Sequence, residues 1–324
     1  MITLRDSMDM ANKEFLSLPF SSSPTELYEP IEYLLSLGGK RLRPALVFLS
    51  ASFFGNISSD VKNGAIATEL FHNATLMHDD IMDNSPVRRG KTTVHNKWGN
   101  NSAILSGDTM LLLSYCYLSM LTPPILPEAL TLFNRTTIQV CEGQQYDMDF
   151  EKRTTVKESE YLQMIELKTA VLIAMSLQLG ALINTADKKQ QEALYRTGLY
   201  AGMAFQLQDD LLDVYGDPET FGKQTGGDIV ENKKTFLLIK AFELSDDTTK
   251  KQLNDLLQDK SITAEKKIEK VKNIYDKMHI ASLTRHKIDS YFSFALHETN
   301  QMNISAECKK ELEAFIALLN KRNT

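Results

Sequence analysis

Three features of the sequence predict an all-α fold of ten or more helices. Turn-forming residues are scarce, with 15 glycines and 9 prolines in 324 residues, where a combined share of about 12% is usual. A long chain with few turns needs long elements, and helices supply them. Apolar residues recur at helical spacing along most of the chain, and no run of alternating β-branched residues marks a strand.

The elements follow in order. Ser23-Pro24-Thr25-Glu26 reads as a capping box with proline at the first helical position. The helix it opens runs to residue 37 and stops at Gly38-Gly39. Arg43-Pro44 begins an apolar run that closes at Gly55-Asn56. Helices are predicted over 61–82, over 105–121 (halted by Pro123-Pro124), and over 128–150, 157–183, 188–214 and 232–245. The last 80 or so residues alternate charged and apolar positions and predict three or four more. No repeat, low-complexity tract or long linker divides the chain, so residues 1–324 are expected to form a single domain.

Composition narrows the function. With 43% hydrophobic and 24% charged residues the chain can bury a core. A formal charge of −6 disfavours general nucleic-acid binding, which needs a basic surface. Cys116, Cys141 and Cys308 are too few and scattered for a disulfide framework or a metal-site spacing. The first 20 residues lack a basic head and apolar core, so no secretory signal is expected. The apolar stretch 170–183 is shorter than the ~18–20 residues of a membrane span. These features predict a cytoplasmic protein without a transmembrane segment.

Two acidic clusters carry the chemistry, His78-Asp79-Asp80-Ile81-Met82-Asp83 and Gln206-Leu207-Gln208-Asp209-Asp210-Leu211-Leu212-Asp213. The i, i+4 spacing puts Asp79 with Asp83, and Asp209 with Asp213, on one helix face. Each cluster follows an apolar segment, where neighbouring carboxylates repel and are costly to desolvate. A hard multivalent cation relieves that cost, and few oxygen ligands completed by water suit Mg²⁺ beside phosphate. A single such cluster could be an acidic solvated face; two in the same setting favour metal.

Cations accompany them. Gly38-Gly39-Lys40-Arg41-Leu42-Arg43-Pro44 places three at a glycine-rich helix start, a natural anion site. Arg88-Arg89-Gly90-Lys91 follows the first cluster. Lys168-Thr169 interrupts an apolar helix, and 221–228 forms a basic glycine-rich loop before Lys233-Lys234-Thr235. The combination suits a polyanion held by metal on one side and Lys/Arg on the other.

In these motifs, together with Glu69-x-x-His72, Gly107-Asp108, Glu142-Gly143-Gln144, Phe205-Gln206, Gly222-Lys223 and Gly227-Asp228, the chain resembles the trans-isoprenyl (polyprenyl) diphosphate synthases from about residue 27 to 240. The resemblance implies mostly antiparallel helices around a central cavity, and a homodimer. It implies head-to-tail condensation of isopentenyl diphosphate with an allylic diphosphate (dimethylallyl, geranyl or farnesyl), aided by three Mg²⁺ ions. By the same resemblance Asp79, Asp83 and Asp209 hold metal, and Asp80 supports them. Arg88, Lys168, Lys223 and Lys233 hold the allylic diphosphate. Lys40, Arg43, His72 and Arg89 hold isopentenyl diphosphate, and Thr169 and Gln206 line the allylic cation. His78 is given no catalytic role. Asn232 stands where the family often has glycine.

Product length in the family depends on residues upstream of the first motif. The fifth and fourth residues before Asp79 are Ala74 and Thr75, and an aromatic floor for a C15 product is missing. Phe71, one turn deeper, is the candidate floor for a C20 product; as ordinary core it would permit C25 or longer. A terpene cyclase, a non-catalytic synthase subunit and a metal-dependent binding protein are the remaining rivals. The cyclase lacks a use for Lys40, Arg43 and Arg89, and a non-catalytic subunit would be expected to lose aspartates that all remain here.

Overall fold

The computed structural model describes residues 1–20, 23–217 and 225–321. Its helices are α1 Leu4–Leu16, α2 Thr25–Ser36, α3 Leu42–Ser52, α4 Ser59–Met82, α5 Val94–Trp98, α6 Asn100–Ser119, α7 Leu126–Glu151, α8 Glu158–Ile165, α9 Val171–Ile183, α10 Lys188–Tyr215, α11 Gly227–Val230, α12 Phe236–Leu244, α13 Asp247–Gln258, α14 Ala264–Lys277, α15 Ile280–Gln301 and α16 Ala306–Asn320. The all-α expectation is met.

Polar caps explain many of the helix starts. Thr3 and Asp6 form a reciprocal capping box at α1, a helix missing from the sequence reading. Ser58, Thr235, Asp246 and Thr263 cap α4, α12, α13 and α14 through their side-chain oxygens. The box expected at Ser23–Glu26 does not form. Pro24 is itself the N-cap of α2 and makes no side-chain cap bond.

The strand-free expectation needs a correction. Val87–Arg88 (β1) and Lys91–Thr92 (β2) pair antiparallel, Val87 with Thr92 and Arg88 with Lys91. Arg89 and Gly90, between them, have φ of 52° and 73°. Positive φ at both central residues is what a tight two-residue hairpin requires.

The chain folds into two compact units. In the first (1–137, 173–195 and 301–314), α4 packs against α3 and α6, α1 against α3, and α2 against α6. Phe15, Ile31, Leu34, Leu70, Ala74, Met77 and Met110 share its core. In the second (138–172, 196–300 and 315–324), α8 packs on α12, and α14 meets α11, α12 and α13.

Helix α8 runs into α9 through one π turn, Glu166–Ala170, closed by the Val171 amide on the Glu166 carbonyl. The continuous run Glu158–Ile183 is apolar and long enough for a membrane span, yet 83% of its most apolar window is buried. It has the burial of a core helix.

Candidate active site

The first unit brings one group of predicted residues together. Helix α4 ends at Met82 with Asp79 and Asp80 in its last turn and Asp83 as C-cap. Three carboxylates therefore sit at the negative end of a helix dipole, which adds to their mutual repulsion. Arg88, on β1, answers part of it. Its Nε lies 2.8 Å from both Asp80 oxygens, and Nη2 reaches Asp79 Oδ2 at 3.5 Å. Asp80 is buried within this pair. Burial opposes charge on Arg88, but the Asp80 hydrogen bond and the Asp80 and Asp79 charges hold its pKa above the ordinary value.

Next to these lies a cationic group. Gly38, Gly39 and Arg41 all have positive φ (76°, 125° and 44°), which folds the loop tightly ahead of α3. Arg41 is buried, bonded to Glu69 Oε1 at 2.7 Å and to the Leu35 carbonyl. The same Glu69 oxygen accepts from Asn73 Nδ2 at 3.0 Å. At Gly39 a Cβ would come within 2.8 Å of the Arg89 guanidinium, so a side chain would displace Arg89. Arg89 also donates to the Gly38 carbonyl. Arg43 Nη1 donates to His72 Nε2 at 3.0 Å, which leaves the His72 proton on Nδ1. Lys40 is exposed beside them in sequence.

Burial first, and then mutual repulsion, weighs against charge on three of these groups. Desolvation, then the Arg89 charge working against Glu69, brings Arg43 down to about 10. Desolvation and Arg41 lower Arg89. Desolvation, Arg43 and Arg89 hold His72 well below its ordinary value. Guanidinium groups crowded until their pKa values fall form a site with electrostatic room for a multivalent anion.

His78 lies against α6. Its Nε2 lies 3.1 Å from the Ile104 carbonyl, and a Cβ on Gly107 would fall 2.2 Å from that nitrogen. On α4, Phe71 is buried and meets Phe133 edge-on at 5.8 Å, and Tyr115 meets Phe133 at 5.4 Å. Ala74 belongs to the core around Leu70 and Met77. The Thr75 hydroxyl is turned back to the His72 carbonyl at 2.8 Å.

The second unit gathers the rest. Asp209, Asp210 and Asp213 occupy the last turns of α10, again at a helix C-terminus. Thr169 Oγ1 donates to Gln206 Oε1 at 3.1 Å, and Gln206 Nε2 donates to Asp210 Oδ1 at 3.0 Å. Tyr161 donates to the other Asp210 oxygen at 2.5 Å. Lys168 Nζ meets Asp147 Oδ2 at 2.6 Å. Asp213 Oδ2 accepts the Asp228 amide at 3.0 Å, tying α11 to α10. Burial, against the Tyr161 and Gln206 hydrogen bonds, raises Asp210, and the Asp209 and Asp147 charges add to the rise. Burial, then Asp210 and Asp213, raises Asp228.

Asp147 and Tyr161 were missed from the sequence. Neither lies in a motif, and their roles come only from the packing of α7 and α8. Lys233 is half-buried with Glu231 Oε2 at 3.3 Å. Lys223 lies outside the described residues.

The donor set fits a divalent cation. It consists of hard carboxylate oxygens, and in each unit burial raises a neighbouring carboxyl, Asp80 in the first and Asp210 and Asp228 in the second, a strain that a cation relieves. Among the described residues no three acidic, histidine or cysteine groups are already gathered to hold an ion. A metal here would complete its shell with water and substrate oxygens.

Comparison with known proteins gives the same picture. The family model "Polyprenyl synthetase" matches residues 24–278. The chain is similar to the geranylgeranyl diphosphate synthase of Methanosarcina mazei, 44% identical over 238 residues, 73% of this chain and 72% of the relative. It is also similar to the geranylfarnesyl diphosphate synthase of Natronomonas pharaonis, 39% identical over 67% of this chain and 69% of that one. A crystal structure of a geranylgeranyl pyrophosphate synthase superposes with a TM-score of 0.94 at 43% identity, covering 100% of both chains. Motifs, all-helical fold and relatives agree, and the chain belongs to the polyprenyl synthetase family of prenyltransferases.

Proposed function

We propose that the protein is a Mg²⁺-dependent trans-prenyltransferase that condenses isopentenyl diphosphate with an allylic diphosphate to give a C20 product. The carrying observation is the first unit's juxtaposition of carboxylates at the end of α4 with an under-neutralised cluster of Arg43, Arg89 and His72. One end suits metal-bound diphosphate and the other a metal-free diphosphate.

In this reading Lys40, Arg43, His72 and Arg89 hold the diphosphate of isopentenyl diphosphate and aim its double bond. Neutral His72 receives a hydrogen bond from Arg43 and orients that guanidinium. Arg88, Lys168, Lys223 and Lys233 hold the allylic diphosphate. Asp79, Asp83 and Asp209 would hold Mg²⁺, three ions with substrate bound, which supplies Lewis-acid stabilisation of the leaving diphosphate. The allylic C–O bond breaks heterolytically and its electron pair leaves with diphosphate. Thr169 and Gln206 place oxygen dipoles near the cation. The double bond of isopentenyl diphosphate supplies the new C–C bond, and the departing diphosphate takes the released proton.

Of the three relatives compared above, two are named as geranylgeranyl and one as geranylfarnesyl diphosphate synthases. Ala74 cannot block the chain early, and Phe71, braced by Phe133, is the proposed floor. The protein is proposed to act as a homodimer in the cytoplasm. Exposed free thiols at Cys116 and Cys141 suit a reducing compartment.

The test is to incubate purified protein with Mg²⁺, isopentenyl diphosphate and dimethylallyl or farnesyl diphosphate, then read dephosphorylated products by mass spectrometry. A dominant C20 product is expected. A ladder reaching C30 removes Phe71 as floor, and no elongation with either primer overturns the prenyltransferase reading.

A further inference from the structure

The residue that departs from the family pattern, Asn232, is bonded in a way glycine could not be. It follows α11 with φ of 60°, a backbone angle asparagine tolerates better than most residues. Its side chain is used at both ends. Nδ2 donates to the Leu257 carbonyl on α13 at 3.1 Å. Oδ1 accepts from Lys267 Nζ, on α14, at 2.7 Å. Lys267 also donates to the Val230 carbonyl at 3.0 Å. Only 7% of Lys267 is exposed, unusual for a lysine that pairs with no carboxylate among the described residues. Lys234 Nζ closes the group on the Asn232 carbonyl at 3.0 Å.

The neighbours of this latch are the functional residues. Lys233 is the next residue, and its amide bonds to the Asp228 carbonyl at 2.9 Å. Asp228 is in turn fixed to Asp213. The segment from Asp228 to Lys233 is thus anchored at one end on the acidic cluster of α10, and at the other on α13 and α14 through Asn232 and Lys267. We propose that Asn232 and Lys267 act as one positioning unit that fixes Lys233 for a Mg²⁺–diphosphate group. The reading rests on the function proposed above, and it assigns α13 and α14 a share in diphosphate affinity. A glycine at position 232 has no side chain with which to make either contact. Lys267 serves here as a buried cation donating to one backbone and one side-chain acceptor, and its loss would leave both without that donor.

The test uses the full chain and inorganic pyrophosphate with Mg²⁺, followed by calorimetry, beside steady-state kinetics with an allylic diphosphate. Wild-type binding and turnover come first and judge the prenyltransferase reading on their own. Asn232→Gly keeps the backbone angle and folds, while Lys267→Met removes the other half. Each is expected to weaken pyrophosphate binding and raise KM for the allylic diphosphate by about three- to tenfold, the scale of one or two hydrogen bonds, with KM for isopentenyl diphosphate unchanged. The double variant should be no weaker than the worse single variant, because coupled residues are not additive. If Lys267→Met fails to fold, Asn232→Gly alone decides. Affinity within twofold of wild type in Asn232→Gly overturns the proposal. So does an equal rise in both KM values, or a double variant whose loss is the product of the single ones.

Discussion

His72 and Phe71 share a helix turn and show two ways in which single residues carry function. Desolvation and the nearby Arg43 hold His72 well below its ordinary pKa. The unfolded chain then binds a proton there at a higher pH than the native state does, so stability falls as pH drops below about 6.5. Wild-type Tm should therefore fall more steeply between about pH 7.5 and 5.5 than that of His72→Gln, followed by thermal unfolding; parallel curves would refute this. Phe71→Ala should lengthen the product and lower stability by about 3–5 kcal/mol, the cost of emptying an aromatic site. Mass spectrometry of products and chemical denaturation give the two readouts. At this scale the acidic and basic motifs were legible because their chemistry is written in adjacent letters. The pairings Arg41–Glu69 and Tyr161–Asp210, both buried, and Lys168–Asp147, part-buried, span 28, 49 and 21 residues. No local pattern encodes them, since tertiary packing creates them.

The π turn at Glu166–Ala170 shows what periodicity hides in an element. One extra residue in a turn rotates everything after it, and a window tuned to 3.6 residues reads the run as one continuous helix over 157–183. The visible trace was Lys168-Thr169 inside an apolar stretch. Gly143, on α7, is the matching half: a Cβ there would lie 2.2 Å from the Lys168 amide nitrogen. Gly143→Ala must push the turn away, with an expected loss of about 1–3 kcal/mol and a reduced kcat as Lys168 and Thr169 shift. Urea unfolding and kinetics check both, and an unchanged kcat would show that the turn serves packing alone. Other elements were easier to read. Long amphipathic or apolar helices declared themselves, whereas α1 was overlooked because its start depends on a Thr3–Asp6 capping box ahead of a weakly apolar segment. The two-residue hairpin is too short for any alternation to register, and its signal is only Arg89-Gly90.

For the whole molecule, α6 leaves Leu105 58% and Leu112 66% exposed, with Ile104 and Met120 beside them at 45% and 60%. Such an apolar face on one helix fits the proposed homodimer. Leu112→Asp should shift the protein to monomer in light scattering, and an unchanged mass would place the dimer contact elsewhere. The dimer was carried over by resemblance alone, because an exposed leucine and a buried one look alike in sequence. The acidic ends of α4 and α10 have a further consequence. A fold that keeps Asp209, Asp210, Asp213 and Asp228 together is frustrated at that point, and the unliganded protein gives up stability to remain ready for its ligand. Asp228 takes up its proton more readily folded than unfolded, so its contribution is lost as pH rises above about 3.8. Asp228→Asn should then melt higher than wild type at pH 8, and the difference should shrink toward pH 4. The more stable protein would be the poorer catalyst.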